Sequence, residues 1–211
     1  MIKKVTIIDS GTGNLLSLIR AFNKCGASVE VTNKKSKIKN ASRIILPGDG
    51  AFGYATKLLN RLEISQLIKD FSKTGKPLLG ICLGMQLLYS QSSEFGKHKG
   101  LNILNGDIEE IKPVNEYYKI PIIGWNKVKV SDVKNKNINA ILKCCKNKLF
   151  YFVHSFEAIS KKKKERLGYY NFKQKKISAI VGKDNIIGAQ FHPEKSGKNG
   201  INFLNTFLNK Y

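Results

Sequence analysis

Arginine is scarce. Lysine and arginine together number 37 against 15 acidic residues, a net charge of +22, yet arginine stands only at Arg20, Arg43, Arg61 and Arg166. Base-edge and planar phosphate recognition favour arginine's rigid fork. The lysines are scattered, apart from Lys161-Lys162-Lys163-Lys164 in an expected loop. The excess charge therefore reads as a lysine-rich solvated surface, and no nucleic-acid partner is expected. The basic field still attracts phosphorylated metabolites or an acidic partner.

Long apolar runs are also missing. The longest uncharged stretch, Pro77 to Ser93, is broken by glycines and polar residues, and a membrane helix needs about 20 apolar residues. At the amino terminus, Met1-Ile2-Lys3-Lys4-Val5-Thr6-Ile7-Ile8-Asp9 has an apolar run of only a few residues, ended by an aspartate. That is not a signal peptide, so a cytoplasmic protein with no membrane contact is expected. The cysteines are Cys25, Cys82, Cys144 and Cys145, with no Cys-x-x-Cys pair. Sequence neighbours rarely bridge, so these read as reduced thiols with no structural zinc. No Pro/Ser-rich linker and no internal repeat divides the 211 residues. One domain over residues 1–211 is expected. Its 42% apolar and 25% charged composition excludes disorder, collagen and coiled coil as descriptions of the whole chain.

What is present begins with strand–helix alternation. Val5 to Ile8, Val29 to Val31, Arg43 to Leu46 and Pro77 to Ile81 read as buried strands. Leu15 to Cys25, Tyr54 to Phe71 in two pieces, and Leu83 to Ser90 carry helical spacing. The second half reads differently. Ile108 to Ile111, Trp125 to Val130, Leu149 to Val153, Gly168 to Phe172, Ile177 to Val181 and Ile187 to Phe191 are strand-like, joined by short polar turns. Ile201 to Leu208 closes the chain as a helix. The pattern predicts an α/β fold with a mostly parallel central sheet, flanking helices and added antiparallel strands.

The chemistry concentrates in Leu78-Leu79-Gly80-Ile81-Cys82-Leu83-Gly84-Met85-Gln86. An apolar strand runs through Gly-x-Cys-x-Gly into a helix, the nucleophile-elbow pattern with cysteine in the serine position. The two glycines let the chain turn sharply, and the thiol emerges at a helix amino terminus, where thiolate is favoured. The Leu83 N–H points into the same space and can stabilise an oxyanion. The alternative is a buried cysteine in a tight turn.

A cysteine nucleophile needs a base, and only His98, His154 and His192 are available. His98 lies in Gly96-Lys97-His98-Lys99-Gly100 and reads as a solvated loop residue. His192 stands in Gln190-Phe191-His192-Pro193-Glu194. Residues two apart on an extended chain face one side, roughly 6.5 Å apart, and Pro193 favours an extended His192. Glu194 can then orient one ring nitrogen while the other faces a nucleophile. Taken alone, His-Pro-Glu also fits a strand-end turn with a surface histidine. The order Cys, His, Glu argues against an α/β-hydrolase, in which the acid precedes the histidine. Pro47-Gly48-Asp49-Gly50-Ala51-Phe52 is a second glycine-rich turn able to offer an N–H to the oxyanion. Gly11-Thr12-Gly13-Asn14 lacks the third glycine of a dinucleotide fingerprint and the lysine of a P-loop.

Gly80-Ile81-Cys82-Leu83-Gly84-Met85-Gln86 and His192-Pro193-Glu194 resemble the class I (triad) glutamine amidotransferase family. Four further segments are similar to the glutaminase subunits of imidazole glycerol phosphate synthases: Asp9 to Asn14, Pro47 to Phe52, Ile123-Gly124-Trp125-Asn126, and Tyr151 to Phe156. The resemblance implies a Cys82–His192–Glu194 triad that hydrolyses glutamine, and an oxyanion hole from Leu83 and the Gly48-Asp49-Gly50 turn, the latter after a backbone rearrangement. It implies Gln86, His154, Ser155 and Phe156 around glutamine, and Trp125, Asn126 and Lys195 towards a (β/α)₈-barrel cyclase partner that receives the ammonia. It implies no metal and no organic cofactor, and a place in histidine biosynthesis. Paralogues that supply ammonia for amidination of surface-glycan sugars are the alternative. Against the family pattern, Ser10 replaces a usual tyrosine, Ile122 a histidine, Phe156 a tyrosine and Asp49 a valine. A catalytically silent scaffold and a basic nucleic-acid module are the competing classes.

Overall fold

In the computed structural model, residues 3–112 and 120–211 are described; Met1 and Ile2 of the amino-terminal reading lie outside them. The first half runs β1 (Lys4–Ile8), α1 (Leu15–Lys24), β2 (Ser28–Thr32), α2 (Lys35–Lys39), β3 (Ile44–Leu46), α3 (Phe52–Arg61), α4 (Ser65–Ser72), β4 (Leu78–Ile81) and α5 (Leu83–Leu87). There follow β5 (Gln91–Ser92), β6 (His98–Lys99), β7 (Gly106–Glu110), β8 (Ile122–Lys127), β9 (Lys129–Val130) and α6 (Lys136–Cys145). The chain ends with β10 (Leu149–His154), β11 (Phe156–Ser160), β12 (Arg166–Phe172), β13 (Lys175–Lys183), β14 (Ile186–Ala189) and α7 (Gly197–Lys210).

The main sheet has the order β2-β1-β3-β4-β14-β13-β12-β9. The strands from β2 to β14 pair in parallel, and β13, β12 and β9 extend the sheet antiparallel. This is the expected α/β architecture. Side chains alternate across a strand, and the core divides accordingly. Val5, Ile7, Ile45, Leu79 and Ile81 face one way and pack with Leu18 and Phe22 of α1, Ile141 and Leu142 of α6, and Phe203 and Phe207 of α7. Ile8, Ile44, Leu46 and Leu78 face the other way and pack with Phe52 of α3, Ile68 of α4 and Met85 of α5. A helix-covered sheet buries both faces, so its strands read as continuous apolar runs. Two smaller sheets, β10-β8 and β11-β7-β5-β6, stand beside the main one.

Three expectations need correction. The second half is not joined by short turns alone. α6 is a ten-residue helix, started by Asn135, whose Oδ1 accepts from the Asn137 and Ile138 N–H groups, as N-cap residues do. The helix after the elbow ends at Leu87, not Ser90, because the chain turns into the short strand β5. His98 is not a solvated loop residue. It is half-buried in β6, with its ring against α3 so closely that a Cβ on Gly53 would lie 2.5 Å from Nε2. No helix among the described residues is long and apolar enough to cross a membrane.

Candidate active site

The site is built where β4 and β14 lie side by side in parallel, with Ile81 opposite Ala189. The Cys82 N–H donates to the Ala189 carbonyl at 2.8 Å, continuing the ladder by one residue. Cys82 then takes φ 52° and ψ −112°, a left-handed conformation for a residue with a side chain, and α5 starts at Leu83. Such strained backbone recurs at functional sites because the surroundings over-determine it. Cys82 as a whole is 7% exposed. As the first residue of α5, Leu83 has an N–H with no carbonyl of its own helix to meet.

One strand over, the chain leaves β14 through Gln190 and Phe191 to His192. The backbone there is extended (φ −95°, ψ 99°), as expected ahead of Pro193. The His192 N–H donates to the Tyr151 carbonyl at 3.0 Å. The Ser196 hydroxyl donates to the His192 carbonyl at 2.6 Å and accepts the Tyr151 N–H at 3.0 Å. Nδ1 of His192 lies 2.7 Å from Oε1 of Glu194. Nε2 turns to the other side, where Sγ of Cys82 and a carboxylate oxygen of Asp49 lie, all three within 4.8 Å of one another. Burial opposes the charged imidazole, but the interactions with Cys82 and Glu194 outweigh it and hold the His192 pKa up to about 10. Both interactions favour the imidazolium form, the form with a proton to give.

A cavity of about 330 Å³ opens over the thiol. It gathers Cys82, His192, Leu83, Asp49, Gly50, Gln86, His154, Ser155, Phe156 and Lys195 among the residues singled out from sequence. Gly48 backs it: a Cβ there would meet Leu83 Cβ at 3.1 Å, so the turn lies against the elbow. Glu194 stands behind His192, outside the cavity. Trp125 and Asn126 do not line it either. They sit on β8, and the Trp125 ring is 52% exposed, edge-on to Tyr151 at 6.0 Å.

Two of the gathered residues are already engaged. Gln86 Nε2 donates to Phe156 O at 3.2 Å and to Gln190 Oε1 at 3.1 Å. His154 Nδ1 lies 2.8 Å from Phe156 O, and its Nε2 lies 2.9 Å from the Tyr170 hydroxyl. His154 therefore shapes the wall with its ring. Sequence reasoning missed Gln190, whose Nε2 lies 3.8 Å from Cys82 Sγ, and Glu94 and Val153 on the cavity wall. Gln190 was readable: it precedes His192 by two on an extended segment, and so shares its face.

Burial pushes the His154 pKa down to about 4, against the hydrogen bond to Phe156 O and with help from the charge on His192. Below pH 6.5 the unfolded chain therefore takes up this proton while the folded chain does not. Stability is full above pH 6.5 and falls as pH drops towards about 4, by roughly 3 kcal/mol for this group. Urea melts at pH 7 and pH 4.5 should show a smaller loss in His154→Gln than in the unchanged chain. Equal losses would assign the acid sensitivity elsewhere.

Residues 6–211 match the glutamine amidotransferase class-I family. The chain is 42% identical over 208 residues to the imidazole glycerol phosphate synthase subunit HisH 1 of Legionella pneumophila (strain Paris), covering 97% of this chain and 98% of that protein. It is 40% identical over 206 residues to the corresponding HisH subunit of Wolinella succinogenes, covering 96% and 98%. Among solved structures, PurLQS from Thermotoga maritima superposes with a TM-score of 0.74 at 20% identity, over 99% of each chain. The glutaminase domain of Trypanosoma brucei CTPS gives 0.66 at 14%, over 100% of this chain and 92% of that one.

Proposed function

The chain belongs to the class-I glutamine amidotransferase family, and from that premise we propose that it is the glutaminase subunit of an imidazole glycerol phosphate synthase, acting as one domain over residues 1–211. The observation that carries the chemistry is the His192 ring, fixed at Nδ1 by Glu194 at 2.7 Å and turned at Nε2 towards the thiol of a strained elbow. The near-full-length likeness to HisH subunits carries the pathway.

Cys82, its proton held by His192, attacks the side-chain carbonyl carbon of glutamine. The carbonyl oxygen becomes an oxyanion facing the Leu83 N–H, with a second donor from the Gly48-Asp49-Gly50 turn once that turn rearranges. The tetrahedral species collapses as His192 gives its proton to the leaving nitrogen, releasing ammonia and leaving a γ-glutamyl thioester on Cys82. His192, now neutral, takes a proton from water. The resulting hydroxide equivalent cleaves the thioester to glutamate and restores the thiol. Gln86 and Phe156 shape the pocket around the amino-acid end, with His154 and Ser155 on its wall.

The ammonia passes to a (β/α)₈-barrel cyclase partner, where it enters imidazole glycerol phosphate and the aminoimidazole carboxamide ribotide of histidine biosynthesis. The docking surface is the β8–β10 ribbon. Ile123 and Trp125 are exposed on one face of β8 and pair with Val153 and Tyr151 of β10, and Val153 continues into the cavity wall. Trp125, Asn126 and Lys195 would thus border both the partner and the ammonia exit. Exposed aromatic anchors of this kind dominate interfaces.

The test is glutamate release by the chain alone, and with a cyclase partner and its acceptor nucleotide. Low activity alone and strong stimulation in the complex are expected. Activity indifferent to cyclase and acceptor would sink the pathway assignment. Within the complex, Glu194→Gln should lower kcat by about 10²-fold or more with KM little changed, since an amide holds the wrong imidazole tautomer. An unchanged kcat would remove Glu194 from the catalytic group.

A further inference from the structure

The mouth of the cavity holds a side chain that the proposed glutaminase chemistry does not require. The carboxylate of Asp49 lies 4.0 Å through Oδ1 from His192 Nε2, and its Oδ2 accepts the Asn14 N–H at 3.0 Å. His192 is 3% exposed, and its Nε2 is left without a well-formed hydrogen bond. Together with Cys82 Sγ, these donors form a sulfur, nitrogen and oxygen set within 4.8 Å of one another.

We propose that Asp49, Cys82 and His192 form a binding site for a thiophilic divalent cation of the zinc class, which blocks the nucleophile and is not a cofactor. The donor set is one that zinc takes: thiolate at about 2.3 Å, imidazole and carboxylate at about 2.0–2.2 Å, with the fourth position left for water. Tetrahedral ligands at those lengths stand about 3.3–3.6 Å apart; His192 and Asp49 stand 4.0 Å apart and no pair of the set exceeds 4.8 Å, so the half-exposed Asp49 and the His192 ring must move inward to close it. Thiolate and carboxylate together neutralise the cation, and the one proton shared by Cys82 and His192 leaves to solvent on binding.

The surroundings also suit a metal. Ligating histidines usually donate their second N–H to a carboxylate, and ligating carboxylates are themselves hydrogen-bonded. Glu194 supplies the first contact at 2.7 Å and the Asn14 N–H the second at 3.0 Å.

Cobalt is the probe, because thiolate-bound Co²⁺ absorbs strongly and the readout does not depend on glutamine turnover. The full chain, kept reduced and titrated with Co²⁺, should bind one equivalent with a thiolate-to-cobalt band that Zn²⁺ abolishes. Cys82→Ser should lose the band. Asp49→Asn should weaken binding about tenfold or more, with circular dichroism confirming that both variants fold. The competing thiols are Cys25 and the pair Cys144 and Cys145, whose sulfurs lie 3.8 Å apart. A band that survives Cys82→Ser, whichever of these thiols carries it, would overturn the proposal. So would an Asp49→Asn affinity equal to that of the unchanged chain.

Discussion

Replacing Cys82 with serine should lower glutamate release by about 10⁴-fold or more while leaving the protein folded. The magnitude follows from how a nucleophile and its base act as a unit: removing the nucleophile alone costs nearly as much as removing the whole group. A serine hydroxyl is far harder to ionise than a thiol, and the site is arranged for sulfur. Gln190 Nε2 at 3.8 Å and the Val153 carbonyl at 3.9 Å are sulfur-length contacts. The side chain is a single heavy atom smaller in radius at an otherwise packed position, so the stability cost should be within about 1 kcal/mol. Glutamate release by the complex, measured beside a thermal melt of each variant, separates chemistry from folding. Retained ammonia production in a folded Cys82→Ser protein would show the assigned nucleophile to be wrong.

Gly84→Ala should be the most damaging small substitution at the site, and it should act through folding. A Cβ at Gly84 would stand 1.8 Å from the Leu46 carbonyl oxygen and 2.7 Å from its carbon. Both are backbone atoms of β3, which is hydrogen-bonded between β1 and β4 and cannot retreat alone. Gly80, on the other side of the elbow, is also tight: a Cβ there would lie 2.7 Å from the Gly84 carbonyl oxygen. Relief needs the whole start of α5 to move away from the sheet, which costs about 3 kcal/mol or more. For a chain of this size that corresponds to a fall in melting temperature of roughly 6–12 °C. A melt within about 1 °C of the unchanged protein would mean that α5 does not cross β3 this closely.

Much of this arrangement could be read from residues alone, because strong local patterns and the tertiary structure agree there. The β-branched run Val5 to Ile8, the elbow glycines and the extended His-Pro-Glu all fit the ends of strands in a parallel sheet. The misses have physical causes. α6 carries apolar residues at Ile138, Ile141, Leu142 and Cys145, which is helical spacing, but lysines and asparagines between them gave the segment the look of a polar turn. β11 is short, and its order comes from pairing with β7, a contact far away in sequence. His98 looked solvated because lysines and glycines surround it. It is half-buried because Gly53 of α3 leaves room for an imidazole. Within the site, the Gly48-Asp49-Gly50 turn lies against the elbow, but the engagement of Gln86 and His154 by protein groups depends on Gln190 and Tyr170. No spacing rule brings those four side chains together.

Cys82 and His192 follow on the carboxyl ends of two paired strands, β4 and β14, although more than a hundred residues separate them along the chain. Their placement follows from the pairing of Ile81 with Ala189 and from the His192 N–H bond to the Tyr151 carbonyl. Loops between the two strands that neither line the cavity nor touch His192 are free to lengthen or shorten, provided β14 returns in the same phase. Insertions in the turn before α6 should therefore be tolerated. Deleting one residue between Ala189 and His192 would point the imidazole to the opposite face and leave the thiol without a partner.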